Sequence, residues 1–156
     1  MTKKFKLTQT HILYVALFFG ITAIAGMALS PKSHATPITV YKSPTCNCCE
    51  LWVRHMEDNG FDVTVQNTNR IEDVKHDHSI PRTLYACHTT TMGDYIIEGH
   101  VPASDVLQLK QEKPDIEGIA VAGMPAGSPG MDHAARSESY DVVAFNGFQT
   151  AIFSTH

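Results

Sequence analysis

Three of the four cysteines in this 156-residue chain fall within four positions, Cys46-Asn47-Cys48-Cys49. An apolar, strand-like run precedes them and an amphipathic helical pattern follows, so the cluster falls at a strand-to-helix turn. There the positive end of the helix dipole favours thiolate over thiol, making each sulfur a nucleophile or a ligand for a soft metal. Cys46 and Cys49 have the C-x-x-C spacing of dithiol redox enzymes, on one face of the helix. Cys48 does not belong to that pair. Adjacent helical residues point about 100° apart, so three thiolates fanned over a turn suit bridging several ions better than enclosing one tetrahedral ion. Structural zinc sites favour two separated cysteine or histidine pairs, and the second pair is not evident here. Monovalent copper accepts low coordination numbers and prefers thiolate and thioether ligands, so it is the first metal the pattern points to.

Other residues offer to complete such a set. A lone cysteine on a strand is ordinarily a buried apolar residue, and a lone histidine ordinarily surface or core. Cys87 and His88 are adjacent, however, in a chain whose other thiols lack a fourth partner. Met124 and Met131 occupy a loop too polar and glycine-rich to be core, which places thioether sulfur on a backbone able to fold tightly over a soft ion. His76, His78, His100 and His133 are further candidates that spacing does not single out, whereas Trp52, Tyr41 and Met56 read as core. The competing arrangement is a pair of disulfides among the four cysteines, plausible in an exported domain of this size but weakened because Cys48 and Cys49 are adjacent and because Cys46 oxidised with Cys49 would leave Cys48 to reach Cys87.

The elements that must position these residues follow from periodicity. Residues 38–43 read as a strand ending at Ser43-Pro44-Thr45. Cys49, Trp52, Val53 and Met56 recur at helical spacing from Asn47 to about Asp58, where Asn59-Gly60 stops the helix. Phe61, Val63 and Val65 alternate as a second strand. Asn69 reads as the cap of a short helix over residues 71–76, which leads to Ile80-Pro81. Residues 84–87 and 95–98 read as strands joined by the threonine-rich segment 89–93, and Pro102 opens a helix to about Gln111. The order strand, helix, strand, helix, strand, strand, helix resembles a thioredoxin-like mixed sheet flanked by helices, an α/β class with a parallel pair and an antiparallel hairpin. Pro81 is the candidate for the cis-proline that such proteins carry before the third strand. If Pro81 lies beside the cluster and the strand is straight, Cys87 is about 20 Å away at roughly 3.3 Å per residue, which conflicts with a ligand role. Beyond that unit come a Gly/Pro/Met loop, residues 118–130, and a β-hairpin, residues 140–145 and 148–153, around Asn146-Gly147.

Residues 1–35 read as a signal peptide or N-terminal membrane anchor: Lys3, Lys4 and Lys6, an apolar stretch over residues 12–29, then Ser33-His34-Ala35 as a small-x-small cleavage site. The apolar stretch exceeds the ~7–15 residues of an ordinary signal core and approaches the ~20 that span a bilayer, so an uncleaved anchor is the alternative. Residues 36–117 then form the main domain and residues 118–156 an extension packed on it. All 16 acids but only 8 of the 12 bases lie beyond residue 35, a formal charge of −8 for that segment. Such a surface argues against nucleic acid and aids solubility.

Four motifs in order, Tyr41-Lys42-Ser43-Pro44-Thr45-Cys46-Asn47-Cys48-Cys49, Cys87-His88-Thr89, Glu98-Gly99-His100-Val101-Pro102-Ala103 and Gly123-Met124-Pro125-Ala126-Gly127-Ser128-Pro129-Gly130-Met131, resemble the CopG-type copper-resistance proteins of Gram-negative bacteria. The resemblance covers residues 38–153. It implies a periplasmic thioredoxin-like domain, a C-terminal extension that helps bind metal, and several copper ions per chain bridged by cysteine sulfurs. It also implies a role in interconverting Cu(I) and Cu(II). On this reading Cys46, Cys48 and Cys49 bridge the ions, Cys87 completes the thiolates, and Met124, Met131 and His88 cap them, in a monomer that meets a copper efflux system or a periplasmic redox partner. Two alternatives remain: an exported thiol-disulfide oxidoreductase using Cys46 and Cys49, and a passive copper chaperone for an efflux system.

Overall fold

The computed structural model describes residues 35–131 and 137–156. The expected export segment lies outside them except for Ala35, as does the candidate His133. Among the described residues no helix is long and apolar enough to cross a membrane.

Strand β1 (Thr36–Lys42) buries Thr36, Ile38, Val40 and Lys42, the alternation of a pleated strand. Helix α1 (Asn47–Asp58) buries Cys49, Trp52, Val53 and Met56, which share one face at 3.6 residues per turn. It stops at Asn59, and Gly60 takes a φ of +85°, a left-handed value that glycine adopts without strain. Strand β2 (Phe61–Asn67) returns parallel to β1, with Val40 opposite Val65. Helix α2 (Ile71–Asp77) follows, then a 3-10 turn (Arg82–Leu84) and the hairpin of β3 (His88–Met92) and β4 (Tyr95–Glu98). Pro102, with φ fixed near −60°, caps α3 (Ala103–Glu112). The chain ends in β5 (Gly118–Ala120), β6 (Asp141–Asn146) and β7 (Gln149–Thr155). All seven strands form one sheet in the order β2-β1-β3-β4-β5-β6-β7, parallel at β1/β2 and β4/β5 and antiparallel elsewhere. The α/β class, the mixed sheet and the element order therefore match the expectation.

Several local expectations are corrected. The threonine-rich segment is itself the strand β3, and residues 84–87 are a 3-10 turn and its exit. Threonine is β-branched and strand-compatible, and a two-residue turn, Gly93-Asp94, suffices to join Met92 to Tyr95. Residues 118–120, expected as loop, add β5 to the sheet. Helix α2 is capped at Arg70 rather than Asn69, and Thr68 Oγ1 accepts the Arg70 N–H at 3.0 Å. Pro81 is trans, as is every peptide bond among the described residues, and the turn plus Tyr85, Ala86 and Cys87 separate it from β3. Gly147 and Phe148, not Asn146 and Gly147, form the last hairpin's turn, because Asn146 pairs with Gln149.

The main core gathers Ile38 and Val40 from β1, Trp52, Val53 and Met56 from α1, Val106 and Leu109 from α3, and Ile97, Ile119 and Val142 from the sheet. Each such side chain contributes roughly 1.5–3 kcal/mol when taken from water. Trp52 is completely buried and its indole N–H donates to the Val101 carbonyl at 2.8 Å, tying α1 to the segment that follows β4. Ile80, Leu84, Ile96, Ala120 and Phe145 form a second cluster.

Candidate metal centre

The register of β1 against β3 builds the site. These strands are antiparallel and Lys42, the last residue of β1, pairs with His88, the first of β3. The chain leaving β1 and the chain entering β3 therefore meet at one end of the sheet. Cys46 lies four residues beyond Lys42, and Cys87 lies immediately before His88. The 20 Å conflict disappears because the 3-10 turn, not an extended strand, connects Pro81 to Cys87. Cys48 Sγ is 4.0 Å from Cys87 Sγ and Cys46 Sγ is 3.5 Å from Cys48 Sγ. Cys46 and Cys49 are joined as a disulfide, with 5.4 Å between their Cα atoms, and Cys48 and Cys87 are free. All four sulfurs lie within 4.8 Å of one another.

Cys46 is the N-cap of α1, and its sulfur accepts the Cys49 N–H at 3.4 Å. The positive end of the helix dipole thus faces this sulfur, as its position after a strand suggests. Cys49 is fully buried beneath it, while Cys46, Cys48 and Cys87 are partly open. Burial, ahead of the neighbouring Cys48, pushes the Cys87 thiol up to about 12, and Lys75 opposes the rise. As a free thiol Cys87 therefore keeps its proton at neutral pH.

A second layer lies behind the sulfurs. Cys49 Sγ and one ring nitrogen each from His88 and His100 lie within 4.8 Å of one another, with all three residues buried. The His88 ring packs 4.4 Å from Trp52 and 5.1 Å from His100, centroid to centroid. Neither of its ring nitrogens has a hydrogen-bond partner among the described residues. Desolvation first, then His100, Lys75 and Lys42, hold its imidazole well below the usual histidine range, so it is neutral and able to ligate. His100 Nδ1 lies 2.7 Å from the Pro129 carbonyl oxygen. Spacing alone did not single out His100. The signal lies in the hairpin: counting outward from Gly93-Asp94, Thr89 pairs with Glu98, and the Gly99 N–H bonds the His88 carbonyl at 3.0 Å.

The Gly/Pro/Met loop crosses both halves of this centre. Gly123 bridges Ala86 in parallel register, which sets Met124 alongside Cys87 in sequence step. At the other end, a Cβ on Gly130 would lie 2.7 Å from the Cys48 carbonyl oxygen, 3.0 Å from Trp52 N and 3.3 Å from His100 Nδ1. Only glycine permits that approach, and Met131 follows directly. Met124 is 53% exposed and Met131 partly buried. His76, on the exposed side of α2, and His78, 6.3 Å from the Tyr41 ring, contribute to neither donor group.

Charge beneath the cluster is arranged by two buried lysines. Lys42 Nζ is 2.6 Å from Glu50 Oε1, and Lys75 Nζ is 2.5 Å from Glu98 Oε1. A cleft of about 610 Å³ between the start of β1, the β3–β4 turn and the end of α3 shares no residue with the sulfurs. The chemistry available is thus a sulfur-rich, partly open rim over a buried sulfur-imidazole floor.

Residues 84–131 match a family described as "Protein of unknown function, DUF411". Two solved structures of copper resistance protein CopG, form 2 and form 1, superpose with TM-scores of 0.74 and 0.73. Each is 37% identical to this chain over 78% of it and 98% of the CopG chain. No curated protein matches.

Proposed function

This chain belongs to the CopG copper-resistance family, and from that premise we propose that it is a periplasmic copper-binding protein of copper resistance that holds several ions and interconverts Cu(I) and Cu(II). The observation that carries the reading is four cysteine sulfurs from two distant segments within 4.8 Å of one another. Cys46, Cys48, Cys49 and Cys87 bridge the ions; His88, with Met124 and Met131, caps them. Thiolates favour Cu(I), while imidazole at the floor and an open rim accommodate Cu(II). The segment ahead of β1 delivers the domain across the membrane, and an efflux system or a periplasmic redox protein exchanges copper or electrons with it.

Anaerobic titration of the fully reduced protein with Cu(I) tests this reading. More than one copper per chain is expected, with fewer in Cys48→Ser. One equivalent or none, with zinc preferred, overturns it. The Cys46–Cys49 disulfide favours a second reading, a thiol-disulfide oxidoreductase with Cys46 attacking and Cys49 resolving. That reading requires metal-free turnover of a disulfide substrate that Cys48→Ser leaves intact. Full copper binding without Cu(I)/Cu(II) cycling would instead mark a passive chaperone.

A further inference from the structure

The motif beginning at Glu98 contributes His100 to the donor groups, yet Glu98 itself is not a member of either. Glu98 is completely buried, as is Lys75 to within 2%. Its carboxylate is fully engaged. Oε1 accepts from Lys75 Nζ at 2.5 Å and from the Ala86 N–H at 2.7 Å; Oε2 accepts from the Thr89 hydroxyl at 2.7 Å. Lys75 Nζ also donates to Thr89 Oγ1 at 3.0 Å and lies 5.5 Å from the centre of the Tyr85 ring. Ala86 and Thr89 are the residues on either side of Cys87-His88.

We propose that the buried Glu98–Lys75 pair is the positioning device of the metal centre, clamping Ala86 and Thr89 so that Cys87 and His88 are held at the sulfur rim and the imidazole floor. The proposal rests on the copper reading above and extends it to residues that do not touch the metal. A buried ion pair is weak evidence for stability, because well-packed apolar residues of similar volume usually serve as well or better. What apolar residues cannot supply is an acceptor for the Ala86 N–H. Residues 85–87 lie outside the named strands and helices; Ala86 meets Gly123 in one isolated bridge, and its own N–H donates to this carboxylate. The same carboxylate holds β3 through Thr89, so one group fixes both ends of the two-residue step. Lys75 brings α2 into the arrangement and neutralises the charge. A partner that orients a ligand in this way typically changes metal affinity by about 10–100-fold when lost.

The test uses the full chain with Lys75→Met and Glu98→Met combined, which removes both charges together and, with them, the acceptors for the Ala86 N–H and the Thr89 hydroxyl. Folding is followed by circular dichroism and thermal melting. Cu(I) affinity is read anaerobically by competition with bathocuproine disulfonate. A second readout needs no copper: with Cys46 and Cys49 oxidised, a short bifunctional alkylating reagent bridges Cys48 to Cys87, and mass spectrometry gives the yield. In a folded variant we expect Cu(I) affinity about 10–100-fold weaker and a lower yield of the bridge. In a Cys87→Ser, His88→Gln background the same pair of replacements should leave Cu(I) affinity unmoved. Unchanged affinity and bridging, or an equal loss in that background, overturns the proposal. Should the paired variant fail to fold, Thr89→Val decides: it removes the hydroxyl that bonds both Glu98 Oε2 and Lys75 Nζ while leaving the Ala86 contact and the β3/β4 pairing, and a bridging yield equal to wild type overturns the clamp. If wild type bridges Cys48 to Cys87 but takes up no Cu(I), the copper reading fails, while a reduced yield in the variant still supports the positioning role.

Discussion

Cys87 is a free thiol that presents a protonated sulfur to any incoming metal. Its thiol is pushed up to about 12, chiefly by burial and then by Cys48, whereas metal binding requires the thiolate. A metal that binds at Cys87 must therefore displace its proton at every pH below about 12. The sign follows: raising pH lowers the proton competition, so Cu(I) affinity rises, by up to about tenfold per pH unit for this one proton. Competition titrations between pH 6 and 8 should show that slope falling by about one proton in Cys87→Ser. A slope identical to wild type would mean that Cys87 is not a ligand. His88 makes no such demand, since desolvation already keeps it neutral.

At the scale of elements, the loop over the centre depends on one close approach. Gly130 has a φ of +85° and lies against the backbone of α1's first turns, so Gly130→Ala must lift the loop and Met131 with it. We expect a loss on the order of 1–3 kcal/mol in denaturant unfolding and weaker copper retention, because overpacking against backbone is not relieved by a rotamer change. Unaltered copper binding would remove Met131 from the donor set. The amphipathic helices, the early strands and the order of elements were legible because their periodicities reflect burial on one face. The strand β3 was not, since three consecutive threonines carry no alternation and pair instead through their backbone. Nor was the approach of Cys87 to Cys48, which depends on a 3-10 turn that residues 82–84 do not announce. The cysteine cluster, Cys87 and His88 could be chosen by residue type and company. His100 needed the hairpin register, a non-local fact.

As a whole molecule, residues 35–156 form one compact unit whose sheet runs without a break from β2 to β7. Phe145, 1% exposed on β6, packs with Ile80, Leu84 and Ile96, so the terminal hairpin shares a core with the turn that leads to Cys87. Phe145→Ala should cost about 3–5 kcal/mol, a large part of the roughly 5–15 kcal/mol that stabilises a typical domain. Thermal unfolding is expected to remain a single transition, with copper released across it. Two transitions, with copper retained through the first, would show that the hairpin folds independently of the site.

Trp52 is the chain's single tryptophan, and its ring lies 4.4 Å from that of His88. The molecule therefore carries its own optical probe at one layer of the centre. Copper reaching the Cys49-His88-His100 floor should quench its emission strongly, and ions confined to the outer sulfurs should quench it less. A titration followed by emission alone would then report the order in which the two layers fill. Emission unresponsive to saturating copper would mean that the floor never takes an ion.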